Sequence, residues 1–524
     1  MAETFKLTYA TMFNPPEELH MRFEEALAKV KAGLGMEHGM IINGKEAYAA
    51  EKFEDRSPAN TDVVLGIFQK GTEKDAHEAL AAARKAFPMW SHMKWRDRVA
   101  LMRKAADLID QRIFEIGAVM AMEVGKNRME ALGDVAETAD LIRYACYQME
   151  KNNGYAVEMG RDPLVGYTAT NISALRPYGV WLVISPFNFP GALTGGPAGS
   201  ALVTGNTIVM KPATDTPWTV RLLAECLCDA GLPEGVFNYV TGPGRTLGQA
   251  LIDSPEVDGV TFTGSYEVGM KIFRDFGQGR WIRPTILELG GKNPAIVSRH
   301  ANIEHAAIGI VRSAFGLQGQ KCSAASRIFI EEPVYDKLVD RLVELTNKMT
   351  IGDPIERGVT LGPVVNRNSY QDFKNFTEEL FQAGTFLTGG KVLTEDKFAK
   401  GYFCAPTLVA DVPLTHRLWK YEMFLPVSTV AKVSSLDEAM KYANDVDYGL
   451  TAGFYGSEEE ARWFFDKIQA GVTYANRPQG ATTGAWPGFQ PFGGWKGSGS
   501  TGKNAGGHYY LPLYMHEQIQ TLIK

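Results

Sequence analysis

Val180-Trp181-Leu182-Val183-Ile184-Ser185-Pro186-Phe187-Asn188-Phe189-Pro190 decides the fold class. Its first five residues are apolar without alternation, as in a strand covered on both faces. The Pro- and Asn-containing stretch behind them ends that strand in a turn. Toward the C-terminus the same kind of strand recurs at 207–210, 236–240 and 260–262, with a helical period over 218–230. Strand and helix alternating at short intervals predict a parallel sheet with helices on both faces, an α/β architecture. Such a sheet binds ligands beyond the carboxyl ends of its strands, where Asn188 falls.

Toward the N-terminus the periodicity predicts helices over 17–32, from Thr72 through 86, over 97–124 and over 130–151. Thr72 followed by Asp75 reads as a helix start with its carboxylate three residues on. Residues 41–44 and 55–61 read as strand and turn pieces. Beyond Gly290 a second alternating block runs through 306–315, 327–330, 334–349, 436–444 and 458–468. The last stretch, 509–523, is apolar with few charges and is expected to dock on its own domain or on a partner subunit.

A chain of 524 residues accommodates about three domains. A net charge of -6 without a dense Lys/Arg run argues against nucleic acid or an anionic membrane as a charge-held partner. Five cysteines, an odd number, point to a reducing compartment rather than a disulfide framework. Cys226 and Cys228 lie in a helical stretch and are expected to be buried structural thiols. Neither a CxxC pair nor HExxH is present, so no metal is expected. The N-terminus lacks the pattern of a secretory signal, and 180–184 is too short to span a bilayer. A soluble, cytoplasmic protein is the expectation.

Four motifs carry chemistry. In Gly319-Gln320-Lys321-Cys322-Ser323 a helix start behind the cysteine and the adjacent lysine would favour thiolate, against the alternative of a buried structural cysteine. In Leu287-Glu288-Leu289-Gly290-Gly291-Lys292 a buried carboxylate suits general-base work, unless Lys292 neutralises it in a salt bridge. The Asn188 amide can donate to a developing oxyanion or serve as a turn residue. Phe262-Thr263-Gly264-Ser265, with Gly269, opens a helix whose N–H groups suit a pyrophosphate, although no G-x-G-x-x-G is present.

Together these motifs resemble the aldehyde dehydrogenase superfamily. Asn188, Lys211, Gly264-Ser265, Glu288, Cys322 and Glu422 stand in that family's order, with its 34-residue interval from Glu288 to Cys322. The resemblance implies a Rossmann-type cofactor domain, an α/β catalytic domain and a small β oligomerisation element. It divides the chain into 1–157, an N-terminal extension and the first part of the cofactor domain; 158–177, an oligomerisation hairpin; 178–289, the cofactor domain; 290–485, the catalytic domain; and 486–524, a return segment and tail. It implies that Cys322 attacks the aldehyde, that Asn188 and the Cys322 N–H hold the oxyanion, and that Glu288 activates water to hydrolyse the thioester. NAD or NADP is the implied cofactor, held by Ser185, Pro186, Phe187, Lys211, Thr214, Gly264, Ser265, Glu422 and Phe424. Thr214 stands where many NAD-preferring relatives carry Glu, so NADP is expected to be accepted. A homodimer or larger assembly is implied as well.

A narrower match concerns Gln318 to Arg327, Thr483-Gly484-Ala485, Gln490-Pro491-Phe492-Gly493-Gly494, Lys503, Ala505-Gly506-Gly507 and Tyr510-Leu511. These are similar to glutamate-semialdehyde (pyrroline-5-carboxylate) dehydrogenases. The implied reaction is oxidation of L-glutamate γ-semialdehyde to L-glutamate in proline catabolism. Ser323, Gly484 and Ala485 would hold the α-carboxylate, with Phe492 and Glu137 as further substrate contacts. The alternatives are another carboxylated or CoA-linked semialdehyde, and a non-catalytic protein on the same fold.

Overall fold

The computed structural model describes residues 15–160, 163, 166, 168–480 and 486–523. Its first sheet contains β1 (Met40–Ile42), β2 (Lys45–Ala47), β3 (Val180–Ile184), β4 (Thr207–Lys211), β5 (Phe237–Tyr239), β6 (Gly259–Thr263) and β7 (Thr285–Glu288). The order is β7-β6-β3-β4-β5-β1-β2. Strands β3 to β7 are mutually parallel, and the N-terminal β1 and β2 add an antiparallel edge. From β3 the chain builds outward through β4 and β5, then crosses to the other side for β6 and β7. The strand order therefore reverses between β3 and β6, and a crevice opens beyond their carboxyl ends.

Helices α1 (Glu17–Ala32), α2 (Glu73–His92), α3 (Trp95–Gln111), α4 (Ile113–Val124), α5 (Arg128–Lys151), α6 (Ala192–Thr204), α7 (Pro217–Ala230) and α8 (Tyr266–Phe276) belong to this half. The expected start of α2 is a capping box: the Thr72 N–H donates to Asp75 Oδ2 at 2.7 Å. This helix continues past residue 86 and through Pro88, because Trp90 in its last turn is fully buried and donates to Leu202 O at 3.0 Å. The single helix expected over 97–124 is two. Arg112 leaves helical geometry between them, and its guanidinium ties Glu115 on α4 to Glu225 on α7.

The second sheet holds β8 (Asn293–Val297), β9 (Ala325–Glu331), β10 (Thr385–Thr388), β11 (Thr407–Ala410), β12 (Val427–Val433), β13 (Thr451–Tyr455) and β14 (Val472–Ala475), in the order β10-β11-β12-β9-β8-β13-β14. Only β10 is antiparallel to its neighbour. A third, small sheet joins Ala156–Glu158, Ala169–Pro177 and Met515–Ile523, all antiparallel. The tail docks only in part: Tyr510, Leu511, Tyr514 and Met515 enter the first core, whereas 516–523 are exposed along the strand.

All five cysteines are free. Cys226 is buried as expected, but Cys228 faces solvent, because two positions apart on a helix are about 200° apart in direction. No helix among the described residues is long and apolar enough to cross a membrane, and no group of His, Cys, Asp and Glu there could hold a metal ion.

Candidate active site

Cys322 lies in a turn between the 3-10 segment Gly316–Gly319 and β9. Leu317, Gln318 and Gly319 run consecutively at φ of 49°, 53° and 68°. Left-handed backbone of this kind costs about 1–3 kcal/mol at a non-glycine residue and persists only where its surroundings hold it. Here they do. The Leu317 N–H donates to Glu130 Oε2 at 3.3 Å and Gln318 Nε2 to Gly125 O at 3.2 Å. The Val365 N–H donates to Gln320 Oε1 at 3.0 Å. On the far side Asn293 Nδ2 reaches the carbonyls of Cys322 and Ala324 at 2.7 and 2.9 Å.

Lys321 does not serve the thiol. Its ammonium is buried against Glu130 Oε1 at 2.9 Å, and a turn and then β9, not a helix, follow Cys322. The expectation of a lowered thiol pKa is thereby corrected. Burial first, and then the neighbouring carboxylates Glu422 and Glu288, push Cys322 above its ordinary value.

Glu288 is the last residue of β7, and 7% of its surface is exposed. Its Oε2 has no hydrogen-bond partner among the described residues. Burial raises its pKa well above the usual carboxylate range. The alternative of a salt bridge to Lys292 falls away. That ammonium is likewise buried without a hydrogen-bond partner among the described residues, and burial lowers its pKa to about 7. Asn188 sits in the turn beyond β3, 3% exposed, with Nδ2 donating to Gln320 O at 3.0 Å. An amide nitrogen carries two hydrogens, so one donor is left for a ligand.

Two cavities converge on Cys322. One, of about 910 Å³ including its open mouth, is bounded by Glu137, Glu288, Ser323, Phe492 and Tyr510 as well as Cys322. The other is a cleft of about 1140 Å³ including its mouth, at the strand-order reversal. Ser185, Pro186, Phe187, Asn188, Gly264, Ser265, Glu422 and Phe424 line it. Ser265 caps α8, accepting the Val268 N–H at 3.4 Å, so the helix opens from the cleft wall. Glu422 accepts the Gly291 N–H at 2.7 Å, and burial raises its pKa to about 7. A Cβ on Gly290 would lie 2.1 Å from Glu422 Oε2, so that carboxylate needs a glycine beneath it. Phe187 and Phe424 meet edge to face at 5.8 Å. Helix-start N–H groups, a carboxylate able to accept from ribose hydroxyls and flanking rings are a set that fits a dinucleotide.

Lys211 and Thr214 are not brought into this cleft. Lys211 is buried with Nζ on Pro212 O at 3.0 Å, Thr214 is exposed, and Ala213 between them lines the wall. Gly484 and Ala485 lie outside the described residues. The motif reading missed Tyr144 and Gln148, which line the α5 wall of the first cavity. The spacing of Glu137, Leu141, Tyr144 and Gln148 on α5 is a helical stripe that would have found them. It also missed Lys126 and Asp134, an ion pair at 2.7 Å with both side chains fully buried, for which no local sequence signal exists.

Comparison with known proteins agrees with this geometry. Residues 45–519 match the model of the aldehyde dehydrogenase family. The chain is 39% identical to a 1-pyrroline-5-carboxylate dehydrogenase of Geobacillus sp. (strain WCH70), covering 94% of each. It superposes on a Thermus 1-pyrroline-5-carboxylate dehydrogenase with bound NAD at a TM-score of 0.93 and 34% identity, covering the whole of both chains. It also matches proline utilization A from Bdellovibrio bacteriovorus at a TM-score of 0.91 and 33% identity, where it spans 52% of the longer protein. The chain belongs to the aldehyde dehydrogenase family.

Proposed function

We propose that the protein oxidises L-glutamate γ-semialdehyde, the open form of pyrroline-5-carboxylate, to L-glutamate with NAD or NADP, in proline catabolism. The observation that carries this reading is the meeting of two cavities at one thiol, with Glu288 in the wall of one and Asn188 in the wall of the other. Relatives named for this substrate extend over nearly the full chain.

In this reading the thiolate form of Cys322, its proton lost to solvent, bonds through Sγ to the aldehyde carbon as the carbonyl π pair moves to oxygen. Asn188 Nδ2 and the Cys322 N–H stabilise the oxygen anion that forms. The nicotinamide, when bound, supplies the acceptor for the hydride that leaves the same carbon. Ser265 and the start of α8 hold the pyrophosphate, and Glu422 and Phe424 the nicotinamide ribose and ring. Ser185 to Phe187 form the cleft wall beyond β3. Glu288 Oε2, without a hydrogen-bond partner among the described residues, takes a proton from the water that cleaves the thioester. Ser323, Gly484 and Ala485 hold the α-carboxylate, and Glu137 offers a carboxylate for the α-ammonium, with Phe492 against the alkyl chain.

The five-part division of the chain, a homodimer or larger assembly built on the third sheet, and a cytoplasmic location complete the proposal. A steady-state panel of semialdehydes with and without an α-amino acid head tests the substrate. The highest kcat/KM is expected for pyrroline-5-carboxylate; a plain aliphatic or CoA-linked semialdehyde outperforming it would overturn the assignment.

A further inference from the structure

Asn188 and Cys322 sit on different loops, 134 residues apart in sequence, yet an oxyanion site needs its two donors placed to within a fraction of an ångström. One short piece of helix touches both loops. Glu130 and Asp134 lie one turn apart on α5, at the i, i+4 spacing that places side chains on one face. Asp134 serves the Asn188 side: its Oδ1 accepts the N–H of Ala192, the first residue of α6, at 2.6 Å. Its Oδ2 holds Lys126 at 2.7 Å, and that ammonium stands 3.6 Å from the ring centroid of Phe189, the residue after Asn188. Gly191 packs so closely here that a Cβ would fall 2.9 Å from Asp134 Oδ1. Glu130 serves the Cys322 side. Its Oε1 holds Lys321 at 2.9 Å and its Oε2 accepts the Leu317 N–H at 3.3 Å, at the start of the left-handed run. The cap residue Asn127 fixes Glu130 in turn, donating to Oε2 at 3.0 Å. Each carboxylate thus binds one backbone N–H and one buried ammonium: both come from the Cys322 loop for Glu130, and from the start of α6 and the segment before α5 for Asp134.

We propose that Glu130 and Asp134 are positioning residues that set the separation of the Asn188 turn and the Cys322 loop, and thereby assemble the oxyanion site. This rests on the reading of Asn188 and the Cys322 N–H as the oxyanion donors. A buried ion pair is weak evidence for stability, because desolvation offsets much of its attraction; registering two loops is a use that fits it better.

The test is a mutant cycle read by single-turnover cofactor reduction. Glu130→Gln and Asp134→Asn keep shape and an acceptor but release the ammonium partners. Each is expected to slow hydride transfer by about 10- to 100-fold, the order associated with misplacing a reacting group by an ångström, with aldehyde KM and cofactor Kd held within about 2-fold. In an Asn188→Ala background, where the separation of the two donors no longer matters, the same changes should cost less than about 3-fold. Equal losses in both backgrounds, or no loss in the wild-type background, overturn the proposal while leaving the oxyanion reading intact. A wild-type rate in Asn188→Ala alone removes the oxyanion reading and this proposal with it, and that single variant shows it. If the single carboxylate variants do not fold, Lys126→Gln/Asp134→Asn and Lys321→Gln/Glu130→Gln exchange each bridge for an amide pair. These double variants enter the same cycle: a loss confined to the wild-type background supports the proposal, and an equal loss in both backgrounds overturns it.

Discussion

At the scale of single residues, the thiol is the least ordinary group in the site. Cys322 has two carboxylates near it, and Lys321 is spent on Glu130. Its pKa in the free enzyme lies above the ordinary value of 9.0, so at neutral pH the thiolate is a small fraction, and that fraction grows with pH. Alkylation of Cys322 by iodoacetamide in the absence of cofactor should climb about tenfold per pH unit and show no plateau below about pH 9. A plateau near neutral pH would contradict the electrostatics described above. The position of Thr214 carries a second prediction. The residue is exposed just beyond β4, outside the cleft but next to Ala213 in its wall, and has no carboxylate to repel a 2′-phosphate. The enzyme should accept NADP, and Thr214→Glu should shift the kcat/KM ratio toward NAD by about 1–2 kcal/mol, the order of one charged contact. An unchanged ratio would mean that the adenine ribose is read elsewhere.

At the scale of elements, the parts most legible in the sequence were those whose signal is local. The strand Val180–Ile184 and the helices Glu17–Ala32 and Leu436–Asn444 match their expected limits, because continuous apolar runs, caps and periodicity lie within one segment. The break at Arg112 was not legible. It depends on Glu225, which is more than a hundred residues away, and tertiary partners override periodicity there. The surroundings of Cys322 were not legible for a similar reason. The motif suggests a helix start after the cysteine, where a turn and β9 follow, and carries no sign of the left-handed run before it, which contacts from α5, Gly125, Val365 and Leu425 hold. Gly319 is the position to test. A Cβ there would lie 2.2 Å from Leu425 O, at a φ of 68°. Gly319→Ala should lower stability by about 1–3 kcal/mol in chemical denaturation and reduce turnover more than about tenfold by moving Cys322. A variant with wild-type activity and midpoint would show that the loop yields freely.

At the scale of the whole molecule, the division into two α/β sheets was readable from strand-helix alternation, and the crevice followed from where the strand order reverses. The third sheet was not readable from residues alone, since pairing between Ala169–Pro177 and Met515–Ile523 spans most of the chain. That sheet leaves Val157, Ile519, Leu522 and Ile523 more than half exposed, an apolar surface that a partner subunit would cover. Sedimentation velocity should give a dimer or larger species. Deleting residues 516–524 should shift it to monomer while the core, which ends at Met515, stays folded. Wild-type protein that sediments only as monomer at micromolar concentration would contradict the assembly.

In the proposed reaction one cavity delivers the aldehyde and the other the cofactor to Cys322, and Glu288 releases the product. The measurement that bears on it most directly is intact-protein and peptide mass spectrometry on Glu288→Gln, mixed with pyrroline-5-carboxylate and NAD or NADP. Acylation does not need the base and deacylation does, so one equivalent of reduced cofactor per chain should appear and then stop. The glutamyl mass should be found on the peptide containing Cys322 and be absent in Cys322→Ala. Sustained turnover at the wild-type rate, or an acyl group on any other residue, would contradict the account.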